Sequence, residues 1–361
     1  MDILTKSVFS LMINFIFGVI TAVILIPLLK RKKANQRLSE YLEETHKKKR
    51  NTPTMGGLIF IIPTLISYFI LYLLKKVSIN YNVLIVIITF TLYALIGFID
   101  DYLIIKNNNN KGLSEKAKFI MQLVLAIIFF YLFLKAGNEP LLWIHSLNIK
   151  LDIGWLYGVL ILFILVASSN AVNLTDGLDG LAGGLSFIAL LTFAIITWNT
   201  GWLVGYADIA IFIFLLLGGI LAFLVFNVSP AKIFMGDVGS LSLGALLGTI
   251  SILTRHELLL VVIGIVFVLE TISCIIQRVY YKITKSRIFP MTPIHHTFEK
   301  IGWEERDIVK LFWIIGLLGS FLALGFGLWL WNKKLFLFFF KSIFLNREYR
   351  WLLWKKWTMD Y

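Results

Sequence analysis

Residues 155–198 read WLYGVLILFILVASSNAVNLTDGLDGLAGGLSFIALLTFAIITW, and this stretch decides the class of protein. Two nearly unbroken apolar runs, 155–172 and 180–198, flank a polar segment that carries Asn170, Asn173, Asp176 and Asp179. A helix needs about 20 mostly apolar residues to cross a hydrocarbon layer of roughly 30 Å. Each run has that length. Carboxylates inside hydrocarbon are costly, so the polar segment reads as the place where the chain meets water and does its chemistry.

The pattern recurs along all 361 residues. Further apolar runs near 8–29, 55–74, 82–99, 117–135, 209–226, 238–253, 258–277 and 309–331 bring the candidate spans to ten. Composition agrees: 58% of residues are hydrophobic and 15% charged, against about 25% charged in a soluble domain. Mean hydropathy is +0.83. Disorder and a disulfide scaffold are excluded, the latter because Cys274 is the single cysteine. The expected fold is an all-α integral membrane protein of about ten transmembrane helices. It forms one polytopic unit over 1–331, followed by an aromatic and basic tail over 332–361.

Lysine and arginine set the expected orientation. With the loop after the first run in the cytoplasm and sides alternating, cytoplasmic segments hold 21 basic residues and the opposite side six, within 1–331. That asymmetry is the positive-inside pattern. Both termini then lie outside. The formal charge of +13 is mostly a cytoplasmic-face charge beside anionic lipid. It is distributed by topology, so no nucleic-acid partner is expected. The tail adds seven basic residues on the outer side, with Trp351, Trp354 and Trp357 spaced by three, which reads as an interfacial helix.

The polar clusters gather on one side. They are the turn at 53–57, Asp100–Asp101 in GFIDDY, the 168–184 segment, FNVSPAKIFMGDVGS at 226–240 and MTPIHHTFE at 291–299. The alternation puts all five on the cytoplasmic face, which predicts one site there. Asp100, Asp101, Asp176, Asp179 and Asp237, interleaved with Asn170 and Asn173, offer hard oxygen donors and no thiolate. Such a set suits Mg²⁺, which keeps several waters and shares its coordination with substrate phosphates. Lys49, Lys118 and Lys232 would balance phosphate charge. Together these are the groups phosphoryl transfer requires. His295–His296 lacks the HExxH spacing, so zinc is not expected.

Structural readings stand beside these. Asp100–Asp101 would equally end a helix at the water boundary, Asp237 would cap a helix N-terminus, and the Asn/Asp/Gly run would form a turn. Glu270, inside the 258–277 run, reads as an interhelical hydrogen-bonding group before a catalytic one. His46, His145 and His256 carry no functional signal.

At five motifs the chain resembles the phospho-N-acetylmuramoyl-pentapeptide transferases, a family of polyprenyl-phosphate sugar-phosphate transferases. TPTMGG at 52–57, IDDY at 99–102, NAVNLTDGLDGL at 170–181, FMGDVGSLSLG at 234–244 and PIHHTFE at 293–299 stand in the family's order. The resemblance implies ten transmembrane helices with both ends outside, a cytoplasmic cleft and usually a homodimer. It implies transfer of phospho-MurNAc-pentapeptide from UDP-MurNAc-pentapeptide to undecaprenyl phosphate, with Mg²⁺, giving lipid I and UMP in the bacterial cytoplasmic membrane. Carried over by position, Asp237 and Asn173 resemble the metal ligands, and Asp100, with Asp101 beside it, the proposed base. Lys118 is similar to the lysine near the diphosphate. Asp179 and Lys49 resemble uridine contacts, Phe234 the ring under the uracil, and Thr54, Asn170, Asp176 and Gln277 further cleft positions. His295 and His296 fall on the first two members of a catalytic His triplet whose third position here is Thr297. A sister enzyme transferring GlcNAc-1-phosphate shares the metal machinery and is the nearest alternative. A secondary transporter or flippase is the distant one, since the acidic residues gather at one face rather than at midplane.

Overall fold

The computed structural model describes residues 3–32, 52–107, 112–144 and 149–329. Lys49 and the 332–361 tail lie outside them. The chain runs as α1 (Ile3–Arg31), α2 (Leu58–Leu73), α3 (Tyr81–Asn107), α4 (Glu115–Lys135), a ribbon of β1 (Leu141–Ile144) and β2 (Ile149–Asp152), then α5 (Leu156–Thr175), α6 (Leu181–Trp198), α7 (Tyr206–Asn227) and α8 (Gly236–Leu253). It ends in α9 (Glu257–Ile263), α10 (Ile265–Thr284), α11 (Ile294–Lys300) and α12 (Glu305–Trp329). Among the described residues, eight helices are long and apolar enough to cross a membrane, or nine if the bent α9–α10 pair counts as one span. Their ends follow the sequence. Ser114 caps α4 by accepting the Ala117 N–H at 3.2 Å, and Lys30 and Arg31 close α1 where the helix dipole is negative.

Lipid is as apolar as leucine, so helices in a membrane associate through close packing and interhelical hydrogen bonds. Both are present. Helices α7 and α8 form the buried centre. Helix α8 presents Gly236, Gly239, Ser240, Ser242, Gly244, Gly248 and Ser251, small residues that admit neighbours closely. A Cβ on Gly57 would lie 2.4 Å from the Gly239 Cα, and one on Gly97 of α3 would lie 2.2 Å from the Asp237 carbonyl oxygen. Buried Asn14 of α1 donates to Thr64 of α2 at 3.0 Å and to the Leu215 carbonyl of α7 at 2.6 Å, while accepting from Ser67 at 2.9 Å. One amide thus ties three helices together.

Three expectations are revised. The 258–277 run is not one straight span: it breaks at Gly264, and α9 and α10 are bent by 85°. Gly is a poor helix former, and Gly264 stands between the two helices, ending α9 with its N–H on the Leu260 carbonyl and starting α10. The chain is not purely helical, because Leu141 pairs with Asp152 and Ile144 with Ile149 in the antiparallel ribbon. Lastly, α3 runs on to Asn107, so Asp100–Asp101 do not end a helix. Both are buried within it.

Candidate active site

The site is built where α3 crosses α8. The absent side chain of Gly97 lets the two backbones touch, and the next turn of α3 delivers Asp100 and Asp101 beside the start of α8. Successive helical residues point about 100° apart, so the two carboxylates have different neighbours. Asp101 faces α8: its Oδ1 accepts the Asp237 N–H at 3.2 Å and its Oδ2 the Val238 N–H at 3.1 Å. These N–H groups have no partner inside their own helix. Asp101 therefore holds the N-terminus of α8 and, with it, Asp237. Asp100 faces α4, accepting the Leu113 N–H at 2.6 Å and lying 3.0 Å from the Lys118 ammonium.

Lys118 joins the two halves. Its Nζ is 3.0 Å from Asp100 Oδ1 and 3.0 Å from Asp237 Oδ2. On the other side of Asp237, Asn173 of α5 donates to Oδ1 at 2.8 Å and to the Ser240 hydroxyl at 2.9 Å. Asp237 is thus held from α3, α4 and α5 while its own side chain stays 21% exposed. Beyond it lies the half-buried Asp176, just past the end of α5. Burial, then the negative charges of Asp237 and Asp179, push its carboxyl up to about 7.

The 52–57 turn zips onto the segment leading into α8. Phe234 N–H donates to Pro53 O at 2.8 Å, Gly56 N–H to Phe234 O at 2.8 Å and Gly57 N–H to Met235 O at 2.9 Å. Buried Thr54 is placed beside Gly236 and Asp101. Phe234 is half-buried on this ladder. Asp179 is buried, accepting the Ala231 N–H at 2.9 Å, and its own N–H donates to Glu305 of α12 at 2.7 Å. Gly180 follows in a left-handed conformation (φ +83°) that starts α6, its N–H on Asn227 at 3.0 Å.

The remaining predicted residues stand apart. Exposed Asn170 donates back to the Val166 carbonyl of its own helix at 2.8 Å. Gln277 of α10 accepts from the N–H groups of Ile288 and Phe289 at 3.1 and 3.0 Å, so it fastens the loop after α10. His295 is wholly buried against Glu270, and His296 lies 2.6 Å from Glu299. Ser240, Asn227 and Glu305 are site-building residues that sequence reasoning missed. Ser240 and Asn227 lay within a quoted motif, whereas Glu305 had no local signal.

Comparison with known proteins bears on this geometry directly. A glycosyl transferase family 4 model matches residues 83–255, and the phospho-N-acetylmuramoyl-pentapeptide-transferase signature 1 matches residues 49–61. The phospho-N-acetylmuramoyl-pentapeptide-transferase of Bacillus licheniformis is 43% identical over 322 residues, covering 89% of this chain and 98% of its own. The chain belongs to this transferase family. Its relatives of the same name in Geobacillus thermodenitrificans and Bacillus subtilis are each 42% identical, over 327 and 323 residues, with 98% of each relative covered. The family-4 match spans α3 to the end of α8, the helices that carry Asp100, Asp101, Lys118, Asn173 and Asp237. The signature spans the turn that zips onto Phe234. Position 297, where the resemblance leads one to expect a third imidazole, holds a threonine whose hydroxyl donates to the Met291 carbonyl.

Proposed function

We propose that this transferase moves phospho-MurNAc-pentapeptide from its UDP carrier to undecaprenyl phosphate, giving lipid I and UMP. The observation that supports this reading is the placement of Lys118 Nζ, 3.0 Å from both Asp100 and Asp237 where α4 meets α3 and the buried α8. One ammonium bridging two carboxylates marks a point where negative oxygens converge around positive charge. The donor set fits Mg²⁺. Asp237 would hold the ion through its carboxylate and Asn173 through its amide oxygen, once the amide turns from the orientation in which its Nδ2 donates to Asp237 and Ser240. No group of three or more His, Cys, Asp or Glu able to hold a metal occurs among the described residues. Mg²⁺ sites of this kind use one or two carboxylates and complete the shell with water and phosphate. When bound, the ion would supply charge neutralisation of the diphosphate.

The chain's own residues do the rest. Lys118 balances phosphate charge, Asp101 and Asn173 fix Asp237, and Asp100 orients the incoming lipid phosphate. A lipid phosphate oxygen bonds to the phosphorus attached to the sugar as the anhydride bond to UMP breaks. One anhydride replaces another, so the reaction is close to thermoneutral and reversible. Positioning and electrostatics carry most of the acceleration in such transfers.

Counting the 16-residue α2 and the bent α9–α10 pair as crossings makes ten, with the site on the cytoplasmic face and both termini outside. The charge asymmetry supports that orientation. We further infer a homodimer, to be checked by light scattering of the purified protein. The functional test is UMP release in detergent with undecaprenyl phosphate and Mg²⁺, comparing UDP-MurNAc-pentapeptide with UDP-GlcNAc, with and without EDTA. Metal-dependent UMP from the muramoyl substrate alone is expected. UMP from UDP-GlcNAc instead would reassign the substrate, and none from either would overturn the transferase reading.

A further inference from the structure

Glu270 has no part in the transfer described above, yet it is a carboxylate with zero exposure in the interior of α10. A buried ionisable group in a membrane protein is expensive unless it is paired. Its partner is His295 of α11, also fully buried: Glu270 Oε2 lies 3.1 Å from His295 Nδ1 and accepts the His295 backbone N–H at 3.4 Å. Glu270 therefore meets both the ring and the backbone of one residue: the Oε2–Nδ1 approach is an ion-pair contact outside hydrogen-bond geometry, and the backbone N–H bond ties α11 to α10.

The far edge of that imidazole is the informative part. His295 Nε2 has no hydrogen-bond partner among the described residues, and it lies against Gly177. A Cβ built on Gly177 would be 2.3 Å from Nε2 and 3.0 Å from the neighbouring ring carbon. Gly177 does not have a positive φ, so glycine is not required there by backbone conformation. It is required by the approach of the ring. Gly177 follows Asp176, and the same turn continues from the last turn of α5, which carries Asn173. The contacts form a line from the interior of α10, through a carboxylate and an imidazole, to the backbone of the acidic turn. His296 does not share this path. Its ring lies tilted against that of His295, with centroids 4.1 Å apart and planes at 59°, and it has its own carboxylate, Glu299.

We propose that Glu270 is a positioning residue for the transfer: with His295 it forms a buried carboxylate–imidazole strut that sets the position of the Asp176–Gly177 turn and, through it, Asn173 and Asp237. This assigns His295 to the same work. It supports the turn from behind and does not touch substrate. The proposal rests on the transferase reading above. A carboxylate behind a functional imidazole fixes its orientation and tautomer, and losing one behind a metal-ligating histidine costs about 10- to 100-fold in activity or affinity.

The test uses full-length protein in detergent, with UMP release measured against both substrates and folding checked by thermal unfolding and size exclusion. Glu270→Ala is expected to lower kcat about 10- to 100-fold with KM for the nucleotide sugar within about threefold, as for an interaction expressed in the transition state. Glu270→Gln keeps the shape and an acceptor for the ring and backbone N–H, and should recover most of the loss. His295→Asn combined with Glu270→Ala should be no slower than His295→Asn alone, because one strut is removed once. A Glu270→Ala protein that folds and keeps kcat within about threefold of the parent would overturn the proposal, as would two losses that multiply. If Glu270→Ala does not fold, the same decision falls on Gly177→Ala, whose Cβ would lie 2.3 Å from His295 Nε2, paired with His295→Asn: non-additive losses sustain the strut, and multiplying losses overturn it. Absence of UMP from the unaltered protein is a separate failure. It would remove the transferase reading and this proposal with it.

Discussion

Replacing Asp101 by asparagine tests whether this residue acts through Asp237. Asp101 is 5% exposed and spends both oxygens on the Asp237 and Val238 N–H groups at the start of α8, at 3.2 and 3.1 Å. Hydrogen bonds to a charged group contribute about 1.5–3 kcal/mol each, against about 1 kcal/mol for a neutral pair. Asparagine keeps one acceptor, now neutral, and turns an NH₂ toward the second N–H. A negative charge at a helix N-terminus is worth about 0.3–1 kcal/mol more. The combined loss is roughly 2–4 kcal/mol. At about 1.4 kcal/mol per factor of ten, its full expression in the transition state lowers kcat by roughly 30- to 800-fold. Because the same bonds hold α8 in the ground state, the thermal midpoint in detergent should fall too. Asp237→Asn provides the contrast: its carboxylate, 21% exposed, accepts no N–H of the α8 terminus, so turnover should collapse with a smaller change in midpoint. The assay is UMP release per folded molecule beside a thermal scan. An Asp101→Asn protein with kcat within threefold of the parent and an unshifted midpoint would refute the reasoning.

Other outcomes follow from the same contacts. Gly97→Ala places a methyl 2.2 Å from the Asp237 carbonyl, and overpacking of this kind costs about 1–3 kcal/mol; a lowered midpoint with reduced turnover is expected, and an unchanged scan would refute the close crossing. Lys118→Met should lose at least about 100-fold in kcat, the scale of removing one preorganised charge partner, and Lys118→Arg should recover part of it; equal activity of all three proteins would exclude Lys118 from the site. The Asp176 carboxyl sits at about 7 against an ordinary 3.8, so the folded state keeps its proton while the unfolded chain releases it. Stability should therefore decline on this account as pH rises from about 4 to about 7 and level off above. The midpoint difference between the parent and Asp176→Asn, measured across pH 4–8, should widen over that window in favour of the variant.

Sequence alone made the membrane class legible, because apolar runs of span length leave no other fold. It also picked out motifs that the fold brings together around α3, α4, α5 and α8, although each carboxylate had a bland reading beside it as a helix end, a cap or a turn. What it hid was the division of labour between neighbours. Asp100 and Asp101 read as one pair, yet the helix turns them to different partners, Lys118 and the α8 N-terminus. The same holds for His295 and His296, one packed on Glu270 and the other on Glu299. The break at Gly264 was not visible either, because hydropathy averaged over 258–277 registers apolar content and not the direction of the axis. Asn170 sat in a motif and Gln277 matched a cleft position by resemblance alone, but their hydrogen bonds are local. Spacing in the chain does not report where an amide turns.

The crossing of α3 and α8 has a consequence for inhibition. Gly97, Gly57 and Gly239 are pressed against backbone atoms, so none of them can acquire a side chain without displacing the helix segments that carry Asp100, Asp101 and Asp237. These glycines are buried between helices, so a compound bound to the carboxylates beside them would rest on a crossing that cannot change to evade it. Escape mutations would have to arise on the rim, in the Gln277-held loop or around Phe234, where side chains have room to vary. Resistance, where it appears, should therefore map to the periphery of the site and leave the buried α3–α8 crossing intact.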